Sequence, residues 1–146
     1  MNSTLEKFQT LYSDFAKADL SKLSEVYFED ASFRDPVHRL TGLKNIKDYF
    51  HNSSQGLLYC RFEFLDVTES SHQAWVRWRM DYAHQKLKGG QALHLDGASQ
   101  LLFERRESFV KIIFHEDFYD MGAMLYEHVP VLKWLIKRLK NRLAAV

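Results

Sequence analysis

Apolar residues recur at helical spacing through the first third of the chain and at every second position after it. Leu5, Phe8, Leu11, Tyr12 and Phe15 form one helical stripe. Ser3 and Glu6, three residues apart, have the spacing of a capping box at its start. Asp19 is placed to cap a second short helix with Leu20, Leu23, Val26 and Tyr27 on its inner side. Asp30–Pro36 reads as a short extended piece, because a proline disfavours helical geometry at the residue before it. A third helix is predicted from Leu43 to about Ser53, with Ile46, Tyr49 and Phe50 inward, Thr41 as its cap and Gly56 just past its end.

After Gly56 the period falls to two. Cys60, Phe62 and Phe64 alternate with Arg61 and Glu63, and Ala74, Val76, Trp78, Met80 and Tyr82 alternate with Trp75, Arg77, Arg79 and Asp81. Leu93 and Leu95 open a third strand, with Gly97 read as a bulge before Ser99, Leu101 and Phe103, and a last strand runs from about Ser108 to Phe118. The breaks at Glu69–His72, Lys88–Gln91 and Arg105–Glu107 have hairpin length, so these strands form an antiparallel meander. Helices followed by a run of strands is an α+β order. From Val129 a separate stripe of Leu132, Leu135, Ile136, Leu139 and Leu143 is interleaved with Lys133, Lys137, Arg138, Lys140 and Arg142, and Pro130 suits the first turn of that helix. The chain thus divides into a domain over residues 1–128 and a basic amphipathic helix over 129–146.

Composition narrows the class. The 146 residues are 46% hydrophobic and 14% aromatic, enough for one compact core and against disorder. No apolar run approaches the ~18 residues of a membrane span. MNSTLEKFQT has neither the basic nor the apolar region of a secretory signal, and the single Cys60 cannot form an internal disulfide, so the cytoplasm is the expected compartment. Cys60 alternates with the inward Phe62 and Phe64 and reads as an inert buried thiol. The net charge of +1 excludes a nucleic-acid binder that relies on bulk charge. It also conceals an asymmetry: residues 1–127 carry 15 Lys+Arg against 19 Asp+Glu, a net −4, whereas residues 128–146 carry five basic residues and no acid.

The segments AKADLSKLSEVYFEDASFRDP (16–36), TGLKNIKDYF (41–50) and FHEDFYD (114–120), together with the element order, resemble the nuclear transport factor 2-like superfamily. This superfamily includes SnoaL-like polyketide cyclases, ketosteroid isomerases and limonene epoxide hydrolases. The resemblance covers about residues 5 to 120. It implies a cone-shaped α+β barrel whose sheet wraps the helices around an apolar pocket, but it does not select a function, since this fold serves many ligands.

The resemblance also implies candidate residues. Asp35 stands where the isomerases carry their proton-moving aspartate, and a carboxylate at the mouth of an apolar pocket is expected to have a raised pKa. The bland alternative is an Asp that shapes a turn before Pro36. Tyr12 resembles the isomerases' oxyanion donor, with plain core packing as its alternative, and Ser99 stands at the place of their second donor. Arg79, Asp81 and Asp117 resemble the Arg–Asp and second Asp of the epoxide hydrolases. Hydrophobic alternation points Arg79 and Asp81 away from Trp78 and Met80, which makes an outer-face ion pair the competing reading; Trp75 on that face suggests a second subunit covering it. His115, Asp117 and Asp120 match no zinc signature, and a His115–Asp117 hydrogen bond is the preferred reading over a metal site.

The expected ligand is a small apolar molecule held by Phe15, Phe33, Phe62, Trp78, Met80, Ser99 and Leu101. The expected chemistry is cofactor-free proton transfer, cyclisation or epoxide hydrolysis, with Asp35 as general base and Tyr12 or the Arg79/Asp81/Asp117 group assisting. A non-catalytic binding or interaction domain on the same fold is the alternative. A homodimer is expected, without metal; the basic tail has a dimer contact as its favoured reading, with a membrane surface or phosphate contact to nucleic acid as the others, and nucleic acid is not the expected partner.

Overall fold

The computed structural model describes residues 2–124 and 130–145, without the side chains of Met124 and of 130–133. The boundary at 128/129 and the side chains of Leu132 and Lys133 therefore lie outside the described residues. Helix α1 spans Ser3–Ser13 and buries Leu5, Phe8 and Tyr12. Its cap is not the capping-box Ser3 but Asn2, one residue earlier, and the Asn2 side chain accepts the Leu5 N–H at 2.7 Å. Short 3₁₀ turns follow at Phe15–Lys17 and Leu20–Glu25, the second capped by Asp19 through the Ser21 N–H. Val26 ends that turn, and Tyr27 opens strand β1 (Tyr27–Arg34) instead of continuing the helix. Strand β2 is Arg39–Thr41, and helix α2 is Leu43–Ser54. Its cap position is Gly42 at φ +93°, not Thr41, whose carbonyl instead accepts from the Asn45 side chain.

The long strands are β3 (Leu57–Glu69), β4 (Gln73–His84), β5 (Leu93–Arg106) and β6 (Phe109–Tyr119), followed by α3 (Met121–Met124) and α4 (Pro130–Ala144). They form one six-stranded sheet in the order β2-β1-β6-β5-β4-β3. The curved sheet does not close, so the architecture is α+β with an open sheet and not a sealed barrel. The predicted meander accounts for β3 to β6; β1 then joins β6 in parallel, a pairing between the two ends of the domain that no local turn announces. A register shift between Tyr27 and Ser32 re-aims β1, so that Ala31 and Phe33 turn inward and the alternation carries on to Asp35. The Thr4 hydroxyl donates to the Val110 carbonyl and ties α1 to β6.

The core lies between the helices and the inner sheet face. Fully burying a side chain such as Leu5, Phe8, Ile46 or Leu101 contributes roughly 1.5–3 kcal/mol. The inner residues of the last three strands stack in register: Gly97 between Trp78 and Tyr119, Ser99 beside Asp117, Leu101 beside His115. Gly97 is not a bulge, since its pairing is continuous on both sides. It is a close approach: a Cβ there would fall on the Trp78 ring and 2.8 Å from the Phe118 carbonyl. Gly97→Ala is accordingly expected to destabilise by ~1–3 kcal/mol, the cost of overpacking. A urea titration with an accompanying change in Trp78 emission checks it; an unchanged midpoint contradicts it.

Candidate functional site

The inner face and the helices enclose a cavity of about 170 Å³. Phe15, Phe33, Phe62, Trp78 and Met80 line it, with Tyr12, Tyr49, Phe50, Tyr82 and Tyr119 completing an aromatic wall. Leu101 is not in that wall; it is fully buried in the core among the α1 and β1 residues. Ser99 is also behind the wall, under the Trp78 indole. Two carboxylates, Asp35 and Asp117, line the cavity among these rings.

Asp117 ends a buried hydrogen-bond chain. The Trp78 Nε1–H donates to Ser99 Oγ at 2.9 Å, and the Ser99 hydroxyl donates to Asp117 Oδ1 at 2.5 Å. An indole N–H can only donate, which leaves the serine proton for the carboxylate. The same Oδ1 lies 2.6 Å from His115 Nε2, and His115 Nδ1 lies 2.7 Å from the Tyr27 hydroxyl, itself 3.0 Å from that of Tyr12. With Oδ1 accepting from a neutral imidazole, the pattern is Nε2–H on His115, Tyr27 donating to Nδ1 and Tyr12 donating to Tyr27. His115 is 0% exposed and ringed by Phe8, Tyr12, Tyr27 and Phe33, so its orientation is set by packing as well as by hydrogen bonds. Among the described residues nothing bonds Asp117 Oδ2, and the side chain, 19% exposed, lines the cavity. Burial pushes the Tyr12 and Tyr27 phenols well above their ordinary range, so both remain protonated donors.

Asp35 lies in the same cavity in a different environment. Its Oδ1 accepts the N–H of Val37 at 2.8 Å and of His38 at 2.6 Å and faces the His38 ring at 3.2 Å, while Oδ2 accepts the Tyr49 hydroxyl at 2.6 Å. Burial on its own would raise this carboxyl, but the Tyr49, Val37 and His38 contacts outweigh it and hold the pKa below its ordinary value. The raised pKa expected from the apolar setting is therefore corrected: the turn after Pro36 and Tyr49 of α2 supply donors that stabilise the anion. The linkage sign follows. A depressed folded pKa gives stability that is complete above the unfolded value of ~3.9 and is lost as pH falls through the folded value. The stability difference between wild type and Asp35→Asn is expected to be largest at neutral pH and to shrink below pH ~4. Urea midpoints at pH 7 and pH 3 check this, and a difference that grows on acidification contradicts it.

Arg79 and Asp81 stand apart from this site. Both are exposed on the outer sheet face, where Arg79 Nε meets Asp96 at 3.1 Å on the neighbouring strand, and Asp81 is paired in register with Arg61 and His94. The Asp96 side chain holds the guanidinium pKa up. The structure thus separates Arg79 and Asp81 from Asp117 by the thickness of the sheet, because a strand's alternate residues face opposite ways. On the outer face Trp75 stacks on Phe118 at 5.7 Å, and both are exposed. Asp120 is also separate: it accepts the Gly122 N–H and pairs with Lys140 on α4 at 2.9 Å. On α4, Trp134, Leu135, Leu139 and Leu143 are exposed, with Arg138 over the Trp134 ring. No helix among the described residues is long and apolar enough to cross a membrane. Cys60 is buried in the cavity wall, and burial, aided by the Asp14 charge, pushes its thiol up to about 12.

Periodicity places Tyr27, Tyr49 and Tyr82 inward without giving them a role at the site, and Tyr119 joins them by continuing the inward alternation of its strand through His115 and Asp117. The Tyr82 hydroxyl is distinctive. Among the described residues it is the buried side-chain polar atom with no hydrogen-bond partner, in a residue 3% exposed at the cavity wall. Such a group costs ~1–3 kcal/mol while unsatisfied.

The open curved sheet folded around N-terminal helices is the ketosteroid isomerase-like, or nuclear transport factor 2-like, class of fold. Within it, the chain belongs to the SnoaL-like domain family, whose pattern matches residues 8–111. No curated protein matches the sequence. Among solved structures, the chain is similar to a nuclear transport factor 2-like protein of unknown function from Burkholderia pseudomallei K96243, at 15% identity and TM-score 0.71 over 86% of this chain and 96% of that one. It is similar to a hypothetical protein with a ketosteroid isomerase-like fold from Catenulispora acidiphila DSM 44928, in complex with trimethylamine, at 10% identity and TM-score 0.70 over 86% and 91% of the two chains. A protein from Jannaschia sp. CCS1 named as a candidate SnoaL-like polyketide cyclase aligns at 14% identity and TM-score 0.69 over 84% and 88%. At these identities the likeness is one of fold.

Proposed function

We propose that this SnoaL-like protein binds a small apolar molecule in the aromatic cavity and moves a proton on it without a cofactor, with Asp117 as the acid–base group. The observation that carries this reading is the Trp78–Ser99–Asp117–His115–Tyr27–Tyr12 chain, which fixes one oxygen of Asp117 and, among the described residues, leaves the other without a hydrogen bond in a residue that lines the cavity. Fixing a carboxylate in an orientation that substrate can reach is the positioning that general base catalysis needs. Asp35, with donors on both oxygens and a depressed pKa, suits a standing negative charge better than a proton acceptor. The Tyr82 hydroxyl is the donor on offer to a substrate oxygen, where it would stabilise negative charge as a bond to hydrogen breaks. The names carried by fold neighbours, a SnoaL-like polyketide cyclase among them, are compatible with cofactor-free proton chemistry.

The test is deuterium exchange. Wild-type protein is incubated in D₂O with a panel of small apolar ketones, and C–H to C–D exchange is followed by mass spectrometry. Exchange that disappears in Asp117→Asn supports the reading; exchange unaffected by that change sinks it. Binding without exchange for every panel member favours the non-catalytic alternative. Tyr82→Phe gives a second expected outcome of opposite signs. Removing the unpartnered hydroxyl should leave folding stability equal or higher, yet weaken a ligand that carries an acceptor oxygen by threefold or more, roughly one hydrogen bond. Thermal melts and titrations with paired ligands check it, and a loss of stability with unchanged affinity contradicts it.

A further inference from the structure

Resting on the reading of the aromatic cavity as the ligand site, we propose that its ligand is an organic cation: a small apolar molecule bearing a tertiary or quaternary ammonium group. Charge is the first ground. Asp35 and Asp117 both line the cavity, and among the described residues no lysine or arginine does. His84 at the wall brings no positive charge in its hydrogen-bond pattern, for its Nδ1 accepts the Lys86 N–H while Nε2 lies 3.1 Å from the Gln55 carbonyl and donates to it. Both carboxylates take hydrogen bonds from their surroundings, and the His38 ring faces Asp35 Oδ1 at 3.2 Å, yet none of these partners sits on the ligand: an anionic ligand would be repelled by the pair, whereas a cation would be attracted.

Ring chemistry is the second ground. Half of the 18 residues lining the cavity are Phe, Tyr or Trp. Tyr12 lies within 5.5 Å of Phe15 and of Phe62, and Phe62 within 5.1 Å of Trp78, centroid to centroid, so the rings form a continuous wall. Aromatic π-systems attract a cation that has shed its water, most strongly for the poorly hydrated alkylammonium groups, and a ring of them around one charge is a cage for quaternary ammonium. Size agrees. An apolar cavity of about 150 Å³ accepts benzene, and this one, at about 170 Å³, suits a ligand of similar bulk.

The experiment uses an isosteric pair, choline and 3,3-dimethylbutan-1-ol, which differ in the charge at one atom. Each is titrated into the full-length protein, and binding is read from the Trp78 indole N–H signal. Choline is expected to bind at least tenfold more tightly, and Asp35→Asn and Asp117→Asn are each expected to reduce that preference severalfold. A neutral alcohol that binds as well as choline or better overturns the cation and leaves the cavity standing as an apolar ligand site. A preference that survives both substitutions overturns the role given to the carboxylates. If neither probe moves the Trp78 signal, the reading of the cavity as a ligand site falls, and the cation with it. The wild-type comparison decides the proposal even if a carboxylate variant does not fold.

Discussion

Asp117→Asn is expected to cut proton exchange on a bound ketone by ~10²–10⁴-fold, the range over which a positioned general base contributes. The substitution keeps the side chain's shape. Asn can still accept from Ser99 and His115 through its carbonyl oxygen, so the buried chain and the fold should persist. What disappears is the second oxygen as a proton acceptor. Asp35→Asn is the informative partner: it removes charge from the same cavity while leaving Asp117 in place, and its effect on exchange should be much smaller. Equal losses in the two variants would mean that the cavity's total charge matters and that Asp117 has no special role. Exchange rates are compared only after circular dichroism has shown each variant folded.

His115→Ala is expected to destabilise the protein by ~3–5 kcal/mol, comparable to deleting a buried aromatic ring. His115 fills the space between α1, β1 and β6, in contact with four rings, and bonds at both nitrogens. Its removal leaves a void and takes one hydrogen-bond partner each from the Tyr27 hydroxyl and Asp117. His115→Phe separates these costs, since it restores volume without the hydrogen bonds and should recover part of the loss. Urea unfolding measures both. A loss below ~1 kcal/mol for the alanine variant would show that the residue is far less integral than its complete burial indicates.

Much of this architecture was legible because local periodicity carries it. The inner faces of β4 and β5 follow directly from the alternation around Trp78 and Leu101, and the same alternation placed Arg79 and Asp81 on the opposite side, where they lie. The His115–Asp117 bond follows from two residues two apart on one strand face. The rest depends on partners distant in sequence. Tyr27 continued a helical stripe, and only its pairing with β6, more than 80 residues on, makes it the first residue of a strand and a partner of His115. Gly97 looked like a bulge because a glycine in a strand has two common causes, and the close approach of Trp78 is invisible until β4 and β5 are in register. For Asp35, the sequence context of an apolar pocket suggested desolvation, whereas Tyr49 and two backbone N–H groups decide the sign.

The central claim is that a directed set of hydrogen bonds converges on Asp117 and leaves its other oxygen for the ligand. The tautomer of His115 tests it most directly, through long-range ¹⁵N–¹H correlation spectra of the histidine rings in the folded protein. The account predicts a proton on Nε2, shared with Asp117, and an unprotonated Nδ1 accepting from Tyr27. A proton on Nδ1 with a bare Nε2 would contradict it, because Asp117 would then have to donate, and the carboxylate could not serve as the base.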